Sequence, residues 1–246
     1  MSLIFAAIFA ALTTADAVAT LLNSPASTSP AKYEAAKAMV EREAAAGKPL
    51  QQFVVGVLSD DKELRKKYLD ASRGRIKAMA EKRNNPLAWY LLSLENNDLK
   101  LLQRAAEGGN VQALNALGTI ATSEAIASKK LSSDAVAKIL KKCFGYFGQA
   151  AAMRDANALI NLGSCYMRGL GCTPDQALAF ECFRSAAKLG HPEGMDYMSA
   201  CYEHGHGVKK DAELSLFWKM RGRALRGDEA AAKWLKERFH SKKEDG

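Results

Sequence analysis

The stretch Leu162-Gly163-Ser164-Cys165-Tyr166-Met167-Arg168-Gly169-Leu170-Gly171 decides the fold, because it recurs. Thirty-six residues further on, Met198, Cys201, Tyr202, Gly205, Gly207 and Asp211 stand where Leu162, Cys165, Tyr166, Gly169, Gly171 and Asp175 stood. Forty-five residues back, Ala113, Leu114, Leu117 and Gly118 match Ala158, Leu159, Leu162 and Gly163. A period of this length is the mark of stacked helix pairs.

Each unit reads as helix, Gly-x-Gly loop, helix and short turn. In the first helix Leu162, Gly163 and Tyr166 share one stripe, which predicts that they face the core. Gly163 has no Cβ, so a partner helix can come close. Gly169 and Gly205 sit just past the helix end, where a left-handed residue turns the chain. Asp175 and Asp211 then stand near the start of the second helix, where the helix dipole favours a carboxylate. The apolar stripe of that helix runs through Ala179, Phe183, Ala186 and Ala187, and Pro192 restarts the cycle at a first-turn position.

The pattern over Leu162 to Gly171, followed by Asp175 and by Ala186-Ala187-x-x-Gly190, resembles the signature of Sel-one-like repeats, relatives of the tetratricopeptide repeat. The match is specific over residues 155–190. It is looser over 191–227, where Met198-Ser199 replaces Leu-Gly and Arg223-Ala224 replaces Ala-Ala. Over 105–153 Ala105-Ala106, Leu117 and Gly118 fit, but Ile120 to Leu131 puts a longer Ser/Lys-rich connector in place of the loop. The resemblance implies an all-α fold, an α/α solenoid (superhelix) of helix pairs whose first helices line a concave wall that holds a peptide or a helix.

Working outward, Pro86 to Leu94 and Asp98 to Glu107 read as a shorter helix pair turning at Asn96-Asn97. Helices are also expected over Ala31 to Ala46, Leu50 to Leu58 and Asp60 to Lys82, with amphipathic spacing but no repeat pattern. Asp228 to His240 supplies a charged last helix carrying Trp234, in character a capping element. Residues 1–17 read as an export signal, since the uncharged run Leu3 to Leu12 leads to Ala15-Asp16-Ala17, a cleavage pattern before Val18. No Lys or Arg precedes the run, and a retained anchor is the rival reading, although the run is about half of the ~20 residues a spanning helix needs. The resulting division is a signal over 1–17, a linker over 18–30, an N-terminal helical cap region over 31–85, the repeat solenoid over 86–240 and a frayed tail over 241–246.

Composition agrees with a helical, globular chain: of 246 residues, 48% are apolar, and Pro totals only six. The net charge of +8 comes with basic runs at Lys62 to Arg83 and Lys219 to Lys243. Acidic residues interleave both, as on a solvated helix face, with attraction to an anionic surface as the alternative. Export and the lack of a nucleic-acid reading module argue against nucleic acid. In an exported chain the five cysteines (Cys143, Cys165, Cys172, Cys182, Cys201) allow disulfides, but core spacing makes them ordinary small apolar residues, and at most one bridge is expected.

The chemistry-bearing patterns are weak. Cys201, His204 and His206 suggest a metal only until Cys201 is seen to occupy a repeat core position. Ser185-x-x-Lys188 and Ser29-x-x-Lys32 imitate a penicillin-recognising motif, yet one lies in the Ala-Ala signature and the other in a linker. Tyr166, Tyr202, Phe183, Trp89 and Trp218 could form an aromatic cage, but repeat packing accounts for the first three. No nucleophile and base pair emerges. The sequence therefore predicts no enzyme, no metal and no cofactor.

If Leu162, Gly163 and Tyr166 face the core, the opposite side of that helix carries Asn157, Ile160, Ser164, Met167 and Arg168. One repeat later it carries Glu193, Asp196, Ala200, Glu203 and His204, and one earlier Gln112, Asn115, Thr119, Thr122 and Ser123. The expected partner-binding residues are Asn115, Thr119, Asn157, Ser164, Arg168, Asp196, Glu203 and His204, with Arg168 beside Glu203 and Asp196. A merely solvated inner face explains any single one as well. The function expected is a non-catalytic, exported scaffold for a protein or peptide, with no spanning segment after signal cleavage. The alternative is an envelope factor that engages an anionic glycan, cell-wall polymer or lipid surface through its basic helices.

Overall fold

The computed structural model describes residues 14–23, 29–128 and 131–239, and every regular element in them is a helix. In chain order these are α1 (Thr14–Leu22), α2 (Pro30–Ala45), α3 (Pro49–Leu58), α4 (Lys62–Arg83), α5 (Pro86–Asn96), α6 (Leu99–Glu107) and α7 (Val111–Ala127), then α8 (Ser133–Ala152), α9 (Ala156–Arg168), α10 (Gln176–Lys188), α11 (Pro192–His204), α12 (Ala212–Leu225) and α13 (Glu229–Phe239). Consecutive helices pack together from α3 to α6 and again from α8 to α13, with added contact of α3 with α5 and of α9 with α11. The chain is thus the all-α, α/α repeat fold that the sequence implied. Among the described residues no helix is long and apolar enough to cross a membrane.

Side-chain caps set the helix starts. Asp61, Asn85, Asp98, Ser132, Asp155, Asp175 and Asp211 each accept backbone N–H groups of the first turn, as does His191 at the head of α11. Each satisfies donors the helix cannot, for about 1 kcal/mol apiece.

The chain forms two compact units, which part between Leu117 and Gly118 within α7. The sequence changes pattern at Pro86, but α5 packs on α3 and α4, so the helix pair after Pro86 belongs to the first unit. In that unit Phe53, Val54, Ile76 and Leu91 are fully buried. Residues 1–13, most of the expected export signal, lie outside the described residues, as do 24–28 of the expected linker and the tail 241–246. The expected linker start, 18–22, is helical. Ala17, Val18 and Leu21 fall at helical spacing and are buried, so the expected cleavage point lies inside α1.

The second unit is the repeat proper. Cys143, Phe147 and Cys165 form one core cluster, and Phe180, Phe183, Met195, Met198 and Cys201 form the next, with Tyr166, Tyr202 and Trp218 packed against it. All five cysteines are free thiols. The connector expected from Ile120 to Leu131 is shorter: α7 runs on to Ala127, because that stretch has no Gly or Pro to stop it and Ala125 adds a buried contact.

Successive repeats are joined by two recurring contacts. Phe144 meets the edge of Tyr166 at 5.3 Å, and Phe180 meets Tyr202 the same way at 5.6 Å. The second glycine of each Gly-x-Gly loop lies on the backbone of an earlier helix, Gly171 on the Leu140 carbonyl and Gly207 on the Gln176 carbonyl. Both have positive φ (77° and 69°), and any Cβ there would collide with backbone that cannot swing away.

Two costs therefore combine at these loops and separate at Gly190, whose φ is 83° but which has open space around it. Gly190→Ala should lose about 1 kcal/mol from left-handed strain alone. Gly171→Ala and Gly207→Ala should each lose about 3 kcal/mol or more. Urea unfolding of the three variants checks this, and equal losses at all three would refute the seating of the loops.

Candidate functional site

Alternation of buried and open positions along the first helices of two successive repeats leaves a groove of about 360 Å³. Ser164, Met167 and Arg168 of α9 form one side, and Tyr197, Ala200, Cys201 and His204 of α11 the other. Phe183 of α10 lies at its floor, and His206 of the following loop at its end. Phe183 owes its place to Gly163: a Cβ there would lie 2.6 Å from the ring, so the glycine is the notch that receives it. The ring also stacks on Tyr197, centroids 4.4 Å apart and nearly parallel. Met167 and Phe183 thus give an apolar base, and Arg168, His204 and His206 supply positive charge or hydrogen-bond donors.

The expected residues divide into three groups. Ser164, Arg168 and His204 line this groove together. Asn157 and Asp196 are used within the fold. Asn157 Oδ1 accepts a hydrogen bond from His191 Nε2–H at 3.0 Å, tying α9 to the head of α11. Both carboxylate oxygens of Asp196 take the guanidinium of Arg226, the residue that ends α12, one at 3.2 Å. Helical spacing fixes a residue's face but not which neighbour's long side chain reaches it. Asn115 and Thr119 stand one turn apart on α7 and, like exposed Glu203, are outside the groove. Ile160, placed on the open face by spacing, is buried. α9 packs against α8, α10 and α11, which narrows its free strip to Ser164, Met167 and Arg168. Phe183 and His206 were read from the sequence as a core residue and a weak metal candidate, Tyr197 was not singled out, and none carried a sign of sharing a groove.

Burial pushes the Cys165, Cys182 and Cys201 thiols up to about 11, so these are neutral packing groups at ordinary pH. Among the described residues no three metal-ligating side chains gather, and the His204 and His206 rings stand 5.6 Å apart. Trp89 is held by the Asn84 side chain and lies 4.1 Å beneath the Arg104 guanidinium, a packing role in the first unit.

His191 is a titratable group at the head of α11. It is buried, and its Nδ1 accepts the Gly194 N–H, which assigns the proton to Nε2 and the bond toward Asn157. Burial first and the nearby Arg226 second, opposed by Asp196, together lower its pKa to about 4. An unfolded imidazole protonates near 6.5, so between pH 6.5 and 4 the unfolded chain binds a proton that the folded chain refuses. Stability is full above that window and falls as the pH drops through it.

Comparison with known proteins follows the same helices. The Sel1 repeat family model matches residues 99–110, 156–191 and 192–218. An uncharacterized Sel1-like repeat-containing protein of Schizosaccharomyces pombe is 28% identical over 76 residues, 31% of this chain. The chain spans only 11% of the length of that relative. A protective antigen of uropathogenic Escherichia coli strains, displaying an SLR fold, aligns with 82% of this chain and 45% of its own at 20% identity and a TM-score of 0.52, a likeness of fold. A Sel1 repeat protein from Oxalobacter formigenes is 27% identical, covering 52% of this chain and 90% of its own with a TM-score of 0.45.

Urea titrations at stepped pH should show up to about 3 kcal/mol lost between pH 6.5 and 4 in the wild type. In His191→Asn, which keeps a capping side chain without a titrating one, most of that slope should vanish. An unchanged slope would exclude His191 as its source.

Proposed function

We propose that this chain, which carries Sel1 repeats, is a non-catalytic scaffold that holds a protein or peptide segment in the groove between α9 and α11. The observation that carries the reading is the groove's make-up, an apolar base at Met167, Phe183 and Tyr197 under a rim holding Arg168, His204 and His206. Such a slot suits one apolar or aromatic side chain next to an acidic residue or a chain-terminal carboxylate. Burial keeps the groove's one thiol, Cys201, neutral and so a poor nucleophile, which supports holding rather than turnover.

The rival reading, attraction of the basic N-terminal helices to an anionic surface, loses two of its cations to structure. Arg65 donates to the Gly56 and Val57 carbonyls at the end of α3, and Arg73 pairs with the mostly buried Glu95.

Peptides selected from a random displayed library on the immobilised full chain should be enriched in an aromatic or long aliphatic residue flanked by Asp or Glu. The Arg168→Glu, His204→Glu double variant should bind those peptides at least about tenfold more weakly, given ~1.5 kcal/mol or more for each charged hydrogen bond. Selection of the same peptides by both proteins, or no enrichment at all, would remove the groove as the binding site.

A further inference from the structure

The first unit contains a cleft of about 560 Å³, unrelated to the groove, between the start of α3 and one face of α4. Arg75, Ala78, Met79, Lys82 and Arg83 project from α4 at three- and four-residue steps, so a single helical stripe forms this wall. Lys48, Pro49, Leu50 and Gln51 form the opposite one.

Three observations converge on an anion. Arg75, Lys82 and Arg83 make no hydrogen bond or ion pair among the described residues, unlike Arg65 and Arg73 earlier on the same helix. The helix α3 starts at Lys48 without a side-chain cap, which leaves the Leu50 and Gln51 N–H groups to the cleft. The third is independent of both: Gln51 is only 6% exposed, lines the cleft and has no hydrogen-bond partner among the described residues. The residue is mostly covered, but its amide atoms keep access to solvent, so a ligand in the cleft can take the place of water on them. Lys48 is set aside here, because Glu43 already takes its ammonium at 2.7 Å.

From this arrangement we propose that the cleft is a binding site for a phosphate group, either inorganic phosphate or a phosphomonoester. Three unpaired cations, two backbone N–H groups and an amide offer more charge and more donors than one carboxylate can use. A dianionic, four-oxygen group matches them. Pro49, Leu50, Ala78 and Met79 give the cleft an apolar side for whatever carries the phosphate. The carrier is a soluble phosphoester or a lipid headgroup, and the recognition chemistry is shared.

Calorimetric titration of the full chain with inorganic phosphate should show one saturable site. Arg75→Gln with Lys82→Gln should weaken it at least about tenfold, while Lys66→Gln with Lys77→Gln, the same charge change at exposed positions off the cleft, should not. Flotation with phosphatidylcholine vesicles, with and without phosphatidic acid, separates the sources. Recruitment that phosphate competes away assigns the lipid, and phosphate binding without recruitment assigns a soluble ester. The proposal is overturned if neither phosphate nor the acidic vesicles bind, or if both variant pairs lose binding equally.

Discussion

The repeat stack depends on one constraint, the contact of a loop backbone with the backbone of an earlier helix. At Gly171 on Leu140 and again at Gly207 on Gln176, no side chain can come between the two segments. A side-chain contact adjusts by changing rotamer, but a backbone contact fixes distance and register together. Once the loops are seated, the aromatic edge contacts of Phe144 with Tyr166 and Phe180 with Tyr202 fall at equivalent places. The interval between α9 and α11, and so the width of the groove, follows from that seating.

The groove is a by-product of the same packing. Phe183 enters the notch of Gly163 and stacks on Tyr197, so a residue needed for the core also forms the floor of the site. One repeat later the notch is filled. Ser199 occupies the glycine position and meets Ser215 through a buried hydroxyl pair at 3.1 Å. Two small polar residues replace the glycine and alanine of the preceding unit, and each satisfies the other. The repeat tolerates such exchange because the loop seats, not the notch, set the spacing.

Much of this was legible beforehand, for a physical reason: the residues that recur are those whose replacement the backbone cannot absorb. The 36-residue frame named Gly171 and Gly207 as equivalent and placed Asp175 and Asp211 at helix starts, where they are found as caps. The frame also placed Ser164, Arg168 and His204 on one face. It could not show that Ile160 is buried, or that Asp196 is reached by Arg226 from thirty residues on. Both depend on tertiary contacts that spacing within one helix does not encode. The end of α7 was misjudged for the opposite reason, since Ser and Lys near residue 130 suggested a loop while Ala and Ile continued the helix to Ala127.

Charge shows the limit of sequence reading most plainly. A net charge of +8 suggests a basic surface in general, but the structure divides the cations by use. Arg65 caps the carbonyl end of α3, Arg73 holds Glu95, Arg104 covers Trp89, and Arg226 holds Asp196. These four stabilise the fold and are poor ligands for anything else, because a partner would have to displace a bond already made. Among the described residues Arg75, Lys82, Arg83 and Arg168 make no such bond, and each borders a depression rather than a flat face. Basic residues that the fold does not use, gathered where the surface recedes, mark binding positions more sharply than any count of charges, since only there does an incoming anion gain contacts without breaking others.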